Sequence, residues 1–408
     1  MEIVLAIFGS EGDVRPNLAL GRALQNRGHV VRVLASPDSR SLAAAAGLAF
    51  QPVGSDVRAL MTANARYYID RPVRATGPMT RALKTDLRRQ FRELPGLIGR
   101  PDLVIGSGLM LAGSSVAEAI GRPYCHAMFA PVALRSRAHG PVVFPFQRGT
   151  PLLNRLLWCL ADAGLNLSLR GVLNRSRRRL GLAPVTSVYG HLAARVLLAV
   201  DPELAPLPAD VAPPCARTGY WHLVSDAGLP PRVERFLDRG PPPVHIGFGS
   251  MGDPHGRRTA RAVVQAIRWA GVRAVVQAGW AGLQVRESRQ VLAVSGRLPH
   301  DRLFPHVAAV VHHGGAGTVS TAARAGVPQV LVPHLLDQYY WGRQVHRLGL
   351  GPRPLARRNL DPRALAAALR EVVDDTGYRR RAAALSVPLR ARDGVVEAVR
   401  LLPALVAA

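Results

Sequence analysis

Short apolar runs alternate with amphipathic stretches from the first residues of the chain. Residues 2–8 form an apolar run closed by Gly9, and residues 16–27 place their apolar side chains on one helical face that ends at Gly28. Further strand-like runs and helical stretches follow in turn at 30–34, 41–46, 50–53, 102–105, 112–120, 124–130 and 196–200. This alternation predicts an α/β fold with a doubly wound parallel sheet.

The same alternation starts again after the prolines at 241–243. Strand-like runs and helical stretches follow one another at 244–248, 259–270, 274–277, 290–294, 308–312, 318–325 and 329–332, with terminal helices expected at 365–372 and 395–405. The proline-rich stretch 201–215 between the halves is typical of a linker. We therefore expect two Rossmann-like domains, in which ligands bind at the carboxyl ends of the strands.

Two stretches of the first half depart from this pattern. Residues 58–94 are long, basic and irregular, and they predict no regular element. Residues 152–180 predict an amphipathic helix that ends in three consecutive arginines, Arg177 to Arg179. Both stretches are candidates for a surface that differs between proteins of the same fold.

Composition and charge narrow the function without deciding it. The 408 residues carry a formal charge of +26, and because Lys84 is the only lysine the charge comes from arginines spread from Arg15 to Arg400. Nucleic-acid binders usually concentrate basic residues on one face of a recognisable module. A general compositional bias toward arginine is therefore the favoured explanation of the positive charge. The alternative explanation is a surface that binds an anionic membrane or an acidic acceptor.

The cysteines and the N-terminus restrict the compartment. Three cysteines fit neither a disulfide-stapled scaffold nor the paired ligands of a zinc site. The first residues show no basic segment followed by a cleavage site, and no run of about 18 apolar residues is present. These features predict a cytoplasmic protein.

The strongest chemical signal lies between the strand at 308–312 and the helix at 318–325. His313 is followed by Gly314, Gly315, Gly317 and Thr318. Glycines let the backbone approach a ligand, and a helix N-terminus offers free N–H groups and a positive partial charge. The segment therefore predicts a diphosphate site to which His313 donates, unless it is only a glycine-rich turn capped by Thr318.

Three further segments follow predicted strands. Asp337 and Gln338 suit the hydroxyl groups of a polyhydroxylated ligand, although Asp337 would also suit a helix cap. Asp13 is a candidate base for an acceptor hydroxyl, or else it caps the helix that starts nearby. Ser250, the last residue of the Gly-Phe-Gly-Ser segment at 247–250, is a weaker candidate for binding phosphate through its hydroxyl and N–H.

In their order and spacing, these segments resemble a known family. The run His313 to Thr318, residues 325–329, Pro333 and the Asp337-Gln338 pair resemble the donor signature of family 1 glycosyltransferases. The segment 8–16, Phe-Gly-Ser-Glu-Gly-Asp-Val-Arg-Pro, is similar to the N-terminal motif of the bacterial branch that glycosylates antibiotics and other natural products. The segment 247–250 resembles a third family motif.

The resemblance implies a GT-B fold: two Rossmann-like, doubly wound parallel-sheet domains that face an interdomain cleft. Residues 1–205 would bind the acceptor, residues 206–385 would bind the nucleotide-sugar donor, and a last helix within 386–408 would cross back to the first domain. The reaction would invert the anomeric centre in one displacement, with neither a metal nor a cofactor.

The resemblance also assigns roles to individual residues. His313 would contact the donor diphosphate, within a loop formed by its glycines and Thr318. Asp337 and Gln338 would hold sugar hydroxyls, and Asp13 would be the base. The complete donor-binding set is Ser10, Ser250, His313, Gly315, Gly317, Thr318, Asp337 and Gln338.

The sequence departs from the plant members of the family at three positions. They stack uracil on a tryptophan where this chain reads Ser-Gly-Arg-Leu-Pro-His at 295–300, and they bind the ribose with a glutamate near the position of Thr321. Both departures weaken an assignment to UDP. The deoxyribose of a TDP-sugar lacks the 2′-hydroxyl and has less need of that glutamate, so TDP is favoured over UDP. The aspartate that assists the plant base falls near Ser107, so Asp13 would act without a relay.

The acceptor stays open at this stage. The expected acceptor region, 55–95 and 131–190, combines basic and aromatic residues at 66–74 with apolar residues at 152–158. A small hydrophobic natural product fits this mixture, and a membrane glycolipid or sterol, reached by peripheral membrane contact, is the alternative. An arginine-rich solvated face over an apolar core would account for the same residues.

Two other classes of function are weighed against transfer. A basic nucleic-acid-binding module without transferase activity would bind random DNA with steep salt dependence. A different twin-Rossmann enzyme, such as a sugar-nucleotide epimerase, is disfavoured by the Asp337-Gln338 pair that follows the donor loop.

Overall fold

The computed structural model describes residues 1–66, 76–145, 149–211, 215–358 and 360–407. Contacts divide the chain into two units. The first contains Met1–Leu60, Val73–Leu223 and Asp393–Ala408, and the second contains Met61–Pro72 and Val224–Arg392. Each unit is built on its own parallel sheet, which confirms the predicted fold class.

The sheet of the first unit has the strand order β3-β2-β1-β4-β5-β6-β7. The inner strand β1 is buried from Ile3 to Phe8, as an apolar run between two layers of helices must be. The strands are β1 (Glu2–Phe8), β2 (Val30–Ala35), β3 (Ala49–Pro52), β4 (Leu103–Gly108), β5 (Tyr124–Met128), β6 (Val196–Leu198) and β7 (Cys215–Arg217).

Helices alternate with these strands along the chain. They are α1 (Glu11–Gln25), α2 (Arg40–Ala45), α3 (Val57–Ala63), α4 (Thr76–Ile98), α5 (Gly113–Ala119), α6 (Pro151–Leu165), α7 (Gly171–Arg179) and α8 (Val188–Leu192). A π-helical turn at Asn166–Arg170 joins α6 to α7, so the helix predicted at 152–180 is present with a wider turn near its middle. Short 3-10 turns lie at Pro37–Ser39 and Pro131–Ala133.

The sheet of the second unit has the strand order β10-β9-β8-β11-β12. Alternate residues of the inner strand β11 enter two apolar clusters on opposite faces: Ala309 and Val311 lie in one cluster, and Val310 lies in the other. The strands are β8 (Val244–Gly247), β9 (Ala274–Gln277), β10 (Val291–Val294), β11 (Ala309–His312) and β12 (Gln329–Leu331).

Helices of the second unit cover both of these clusters. They are α9 (Pro231–Asp238), α10 (Gly256–Ala270), α11 (His300–Leu303), α12 (Ala316–Ala325), α13 (Gln338–Arg347), α14 (Pro362–Asp374) and α15 (Thr376–Ala391). A 3-10 turn follows α11 at Phe304–His306. The last helix, α16 (Gly394–Ala407), belongs to the first unit, where it packs against α1.

The irregular structure predicted over 58–94 is wrong at both ends of this stretch, and α3 (Val57–Ala63) already occupies its start. Residues Thr76–Ile98 form a 23-residue helix, α4. Leu87, Leu94 and Ile98 are buried at helical spacing, but the basic residues between them masked this period in the sequence. Of the basic and aromatic cluster expected at 66–74, all residues after Arg66 lie outside the described residues.

The unit boundaries also differ from those expected. The first unit extends to Leu223 rather than to 205, because β7 pairs with β6 and adds a strand to the first sheet. A strand of only three residues within a proline-rich stretch gives no periodic signal, so this stretch resembled a linker. The second boundary lies at 392 rather than 385, and Met61 packs in the core of the second unit, which the sequence did not indicate.

Candidate active site

Each sheet has one point at which its strand order reverses. In the first sheet this point lies between β1 and β4, and in the second it lies between β8 and β11. In open α/β sheets, ligands bind beyond the carboxyl ends of the strands at such a point. The segment with Asp13 follows β1, the Gly249-Ser250 turn follows β8, and His313 follows β11. The sequence-predicted residues therefore lie where each fold forms a crevice.

The imidazole of His313 is held between two glycines. A Cβ atom at Gly249 would lie 2.9 Å from its Cε1 atom, and a Cβ at Gly315 would lie 2.6 Å from its Nε2 atom. The side chain is buried, and its Nδ1 atom has no hydrogen-bond partner among the described residues. Burial lowers the pKa of His313 from 6.5 to about 4, so the ring is neutral at neutral pH. A neutral ring keeps one N–H that can be donated to a ligand.

The neighbouring His312 supports the loop instead. Its Nδ1 atom accepts the Gly314 N–H at 3.1 Å, so its Nε2 atom carries the proton and donates to Gln329 Oε1 at 3.0 Å. Gln329 in turn donates to the carbonyl of Val319 at 3.3 Å. This buried chain of hydrogen bonds fixes the left-handed Gly314, whose φ is +96°.

Helix α12 begins beside the His313 ring. Its N-cap is Gly315, and its first residue is Ala316, so Thr318 is not the cap that the sequence allowed as an alternative. The first three N–H groups of a helix have no intrahelical partner, and here they belong to Ala316, Gly317 and Thr318. With a glycine as the cap, no side chain occupies these donors, and the positive end of the helix is open to an anion.

The Asp337-Gln338 segment lies against the glycine-rich loop at 313–317. A Cβ at Gly314 would lie 3.1 Å from the carbonyl oxygen of Gln338, and the amide nitrogen of Gln338 lies 3.3 Å from the sulfur of Met251. The Gln338 amide oxygen accepts the N–H groups of His334 and Leu335, so its side chain closes the loop before α13.

Asp337 is half-buried, and its carboxylate accepts from Trp341 Nε1 at 3.2 Å. It is the N-cap residue of α13 but makes no side-chain capping bond. Leu336, immediately before it, is the one non-glycine residue in the described ranges with a positive φ, at +52°. Strained backbone of this kind is characteristic of binding loops.

A buried polar cluster that the sequence did not reveal supports this loop. His334 donates from Nδ1 to the carbonyl of Val332 and accepts from Arg357 Nε at 2.9 Å. Arg357 forms a buried ion pair with Asp253 and donates to Thr259. These residues come from three stretches of the second unit that are far apart in the sequence, so neither spacing nor motif could have identified the cluster.

In the first unit, Asp13 forms a capping box at the start of α1. Its Oδ2 atom accepts the Ser10 N–H at 3.0 Å, and Ser10 Oγ accepts the Gly12 N–H at 3.3 Å. The capping alternative considered for Asp13 is therefore realised, and Ser10 shares the same bond pattern. Asp13 is half-buried, and the loss of solvation raises the pKa of its carboxyl from 3.8 to about 6. The hydrogen bonds from Ser10 lower the pKa, but by less.

Glycines make room for the Asp13 carboxyl. A Cβ at Gly9 would lie 2.2 Å from Asp13 Oδ2, and one at Gly108 would lie 3.4 Å from Asp13 Cγ. Gly108 ends β4, so the carboxyl lies at the strand reversal of the first sheet. Ser107 is fully buried, and its hydroxyl has no hydrogen-bond partner in the part of the chain that the structure describes. Position 107 therefore supplies no carboxylate to Asp13, and the pKa of Asp13 is raised by its burial instead.

Comparison with known proteins identifies the family. Residues 3–138 match the glycosyltransferase family 28 N-terminal domain, and residues 283–405 match the C-terminal domain of erythromycin biosynthesis protein CIII-like proteins. A vancomycin aglycone glucosyltransferase from Amycolatopsis orientalis is 35% identical over 422 residues, which span 98% of this chain and 97% of the relative. The chain belongs to the family 1 glycosyltransferases of GT-B fold, in the branch that contains the antibiotic glycosyltransferases. The predicted family is thereby confirmed.

Two further comparisons define the breadth of this glycosyltransferase family. A sterol 3-beta-glucosyltransferase from Arabidopsis thaliana is 31% identical over 428 residues, covering 98% of this chain and 67% of the relative. The crystal structure of the glycosyltransferase VinC in complex with dTDP has a TM-score of 0.72 at 22% identity over the whole of both chains. This structural likeness confirms the GT-B fold of the glycosyltransferase.

Proposed function

We propose that this glycosyltransferase transfers a hexose or deoxyhexose from a nucleotide diphosphate sugar to a hydroxyl or amine of a hydrophobic natural product. The transfer inverts the anomeric centre in one displacement and uses neither a metal nor a cofactor. The first unit binds the acceptor and supplies Asp13 as the base. The second unit binds the donor.

One observation carries the donor half of this proposal. The buried His313 ring lies beside the uncapped N-terminus of α12, and its Nδ1 atom has no hydrogen-bond partner among the described residues. A neutral imidazole and three backbone N–H groups therefore lie near one another. Such donors stabilise the negative charge that develops on a departing diphosphate. His313, Gly315, Gly317 and Thr318 form this part of the site, with Ser250 on the neighbouring turn.

The sugar and the acceptor are handled by other groups. The Asp337 carboxylate holds sugar hydroxyls, while Gln338 shapes the loop and reaches the sugar only after exchanging its present bonds. Asp13, with a pKa raised to about 6, is matched to removing a proton from an acceptor near neutral pH. Ser10 positions Asp13 through its backbone N–H.

We infer that the donor nucleotide is TDP rather than UDP. The half-buried Thr321 offers no carboxylate for a ribose 2′-hydroxyl, which a thymidine nucleotide lacks. Relatives support this assignment, since they include a dTDP-epi-vancosaminyltransferase that is 32% identical, and VinC was solved with dTDP.

A sterol or membrane glycolipid is the second candidate acceptor. The sterol glucosyltransferase among the relatives supports it, as does the exposed apolar side of α6. The vancomycin aglycone glucosyltransferase supports the natural-product acceptor. The match to this chain spans 97% of that relative, against 67% of the sterol glucosyltransferase.

Product analysis tests the proposal. The purified protein is incubated with TDP-glucose or UDP-glucose and a panel of glycopeptide, polyketide and sterol acceptors, with and without EDTA. We expect EDTA-insensitive transfer from TDP-glucose, and a β-linked product by the NMR coupling of the anomeric proton. An α-linked product would contradict inversion, and loss of activity in EDTA would contradict metal independence.

A further inference from the structure

One helical face of the first unit is apolar and exposed. The leucines at positions 152, 153, 156, 160 and 167 are 77%, 42%, 55%, 55% and 89% exposed. They are five of the fourteen exposed large apolar side chains within the described ranges. Contiguous apolar surface of this kind usually marks an interaction site. We call these five residues the leucine stripe.

The leucine stripe follows the period of the helix. At 100° per residue, Leu152, Leu156 and Leu160 fall on one side of α6, and the exposed Cys159 and Ala163 lie between them. The opposite side is buried and includes Asn154, Leu157 and Trp158. Apart from the exposed Arg155 at its edge, the exposed side of α6 is thus apolar along the length of the helix.

Beyond the leucine stripe, the exposed surface of the same helical segment becomes basic. Arg170, Arg175, Arg178 and Arg179 are exposed, whereas Arg177 is buried in a bidentate ion pair with Glu118. The single acidic residue between 151 and 179, Asp162, is half-buried and accepts from Ser187. An apolar stripe continued by arginines is the surface of an interfacial helix that meets anionic lipid.

We propose that the leucine stripe and the four exposed arginines after it dock the protein on an anionic lipid bilayer. The apolar side chains enter the boundary between headgroups and acyl chains, and the arginines neutralise lipid phosphates. A second copy of the chain fits less well, because it would bring the same arginine-rich surface and a formal charge of +26 against the first.

The helix lies on the bilayer rather than across it. The segment Pro151–Arg179 has the length and apolar composition of a spanning helix, with 28% of its most apolar window buried. Its inner side is fixed in the first unit, where Trp158 Nε1 donates to the carbonyl of His139 at 3.1 Å and Asn154 donates to the carbonyl of Arg137 at 2.8 Å. Crossing the bilayer would break these bonds.

Vesicle co-sedimentation tests this inference without donor or acceptor, so its outcome is independent of the proposed reaction. The full chain is mixed with vesicles of phosphatidylcholine alone or with 30 mol% phosphatidylglycerol, about a physiological fraction of charge. We expect binding to the anionic vesicles that weakens as salt rises. Equal binding to both vesicle types, or none to either, would overturn the proposal.

Matched variants separate the two parts of the surface. Replacing Leu152, Leu156 and Leu160 by serine is expected to reduce the partition coefficient at least about tenfold, from the loss of buried CH₂ groups. Arg178→Gln with Arg179→Gln is expected to reduce it by about fivefold per charge. The controls are Val387→Gln, which removes an exposed apolar side chain from α15, and Arg379→Gln with Arg380→Gln.

Unchanged vesicle binding in the serine variant would overturn the proposal, provided that circular dichroism shows the variant folded. Sedimentation velocity of the parent protein supplies a separate result. A dimer that dissociates in the serine variant would mean that a second copy covers the leucine stripe, which also overturns lipid docking.

Discussion

We propose that Asp13 combines a structural and a chemical role in one carboxyl group. It closes the capping box of α1, and its pKa of about 6 suits a base near neutral pH. The sequence presented these roles as alternatives, because a cap and a base favour the same residue type after a strand. The positions of Ser10, Gly9 and Gly108 around the carboxyl are compatible with both roles in one geometry.

Substitution of Asp13 by asparagine separates the two roles. Asparagine still accepts the Ser10 N–H but cannot take a proton, so kcat should fall by about 10²–10⁴-fold with little change in thermal stability. Alanine removes the cap as well and should cost a further ~1 kcal/mol of unfolding free energy. Glu11→Gln, in the same helical turn, is the control. Wild-type activity in Asp13→Asn would exclude the base.

The raised pKa of Asp13 makes a prediction about pH. The base must be ionised, so kcat/KM for the acceptor should fall as the pH decreases through about 6. A carboxyl at its ordinary pKa would keep the reaction running to about pH 4. If kcat/KM begins to fall only near pH 4, Asp13 is not the titrating group.

The contact between Gly315 and His313 allows a second test at this scale. The φ of Gly315 is −63°, so alanine fits the backbone, but its Cβ would lie 2.6 Å from His313 Nε2. Gly315→Ala should therefore displace the ring and weaken TDP binding at least about tenfold. In a His313→Ala background the same change should have little effect, because the displaced group is absent. Additive losses would contradict this coupling.

At the scale of elements, regular periodicity decided what the sequence could predict. Apolar runs and helical periods predicted the strands other than β7 and the helices α1 and α12, mostly within a few residues of their bounds. Helix α1 begins at Glu11, earlier than the predicted start at residue 16. Helix α4 was missed because arginines interrupt its apolar face, and β7 was missed because three residues show no period. The glycine-rich loop at 313–317 was identified because its glycines are neighbours in the sequence. The cluster of His334, Arg357 and Asp253 was missed because its members are far apart in the sequence.

That cluster predicts a large loss of stability. Arg357→Met leaves the buried Asp253 carboxylate without its ion-pair partner, which costs about 3–5 kcal/mol. The melting temperature should fall by at least about 6 °C. Adding Asp253→Asn should restore most of the loss, and the exposed Arg353→Met is the control. A melting temperature unchanged in Arg357→Met would contradict the buried pair.

At the scale of the whole molecule, the end of the chain completes the first unit. Helix α16 packs against α1, and its side chain Leu402 is 1% exposed. The sequence predicted a helix here, and the resemblance to glycosyltransferases predicted that it returns to the first domain. The change of unit at 223 and the assignment of 61–66 to the second unit depend on contacts between distant residues, which a single sequence does not reveal.

Leu402→Ala tests this completion of the first unit. Removal of the buried side chain should cost about 2–5 kcal/mol, and we expect a lower melting transition for the first unit in calorimetry. The adjacent, half-buried Leu401→Ala should cost less. Equal and small effects of the two substitutions would show that α16 contributes no core to this unit.

The central claim is that the second unit binds a nucleotide diphosphate through His313 and the N-terminus of α12. Isothermal titration calorimetry with TDP, UDP and GDP, on the wild-type protein and on His313→Ala, tests it most directly. We expect TDP to bind most tightly and its affinity to fall at least about tenfold in the variant, by analogy with the loss of one charge-stabilising donor. Equal affinity for TDP in both proteins, or no binding of any nucleotide to the wild type, would contradict the account.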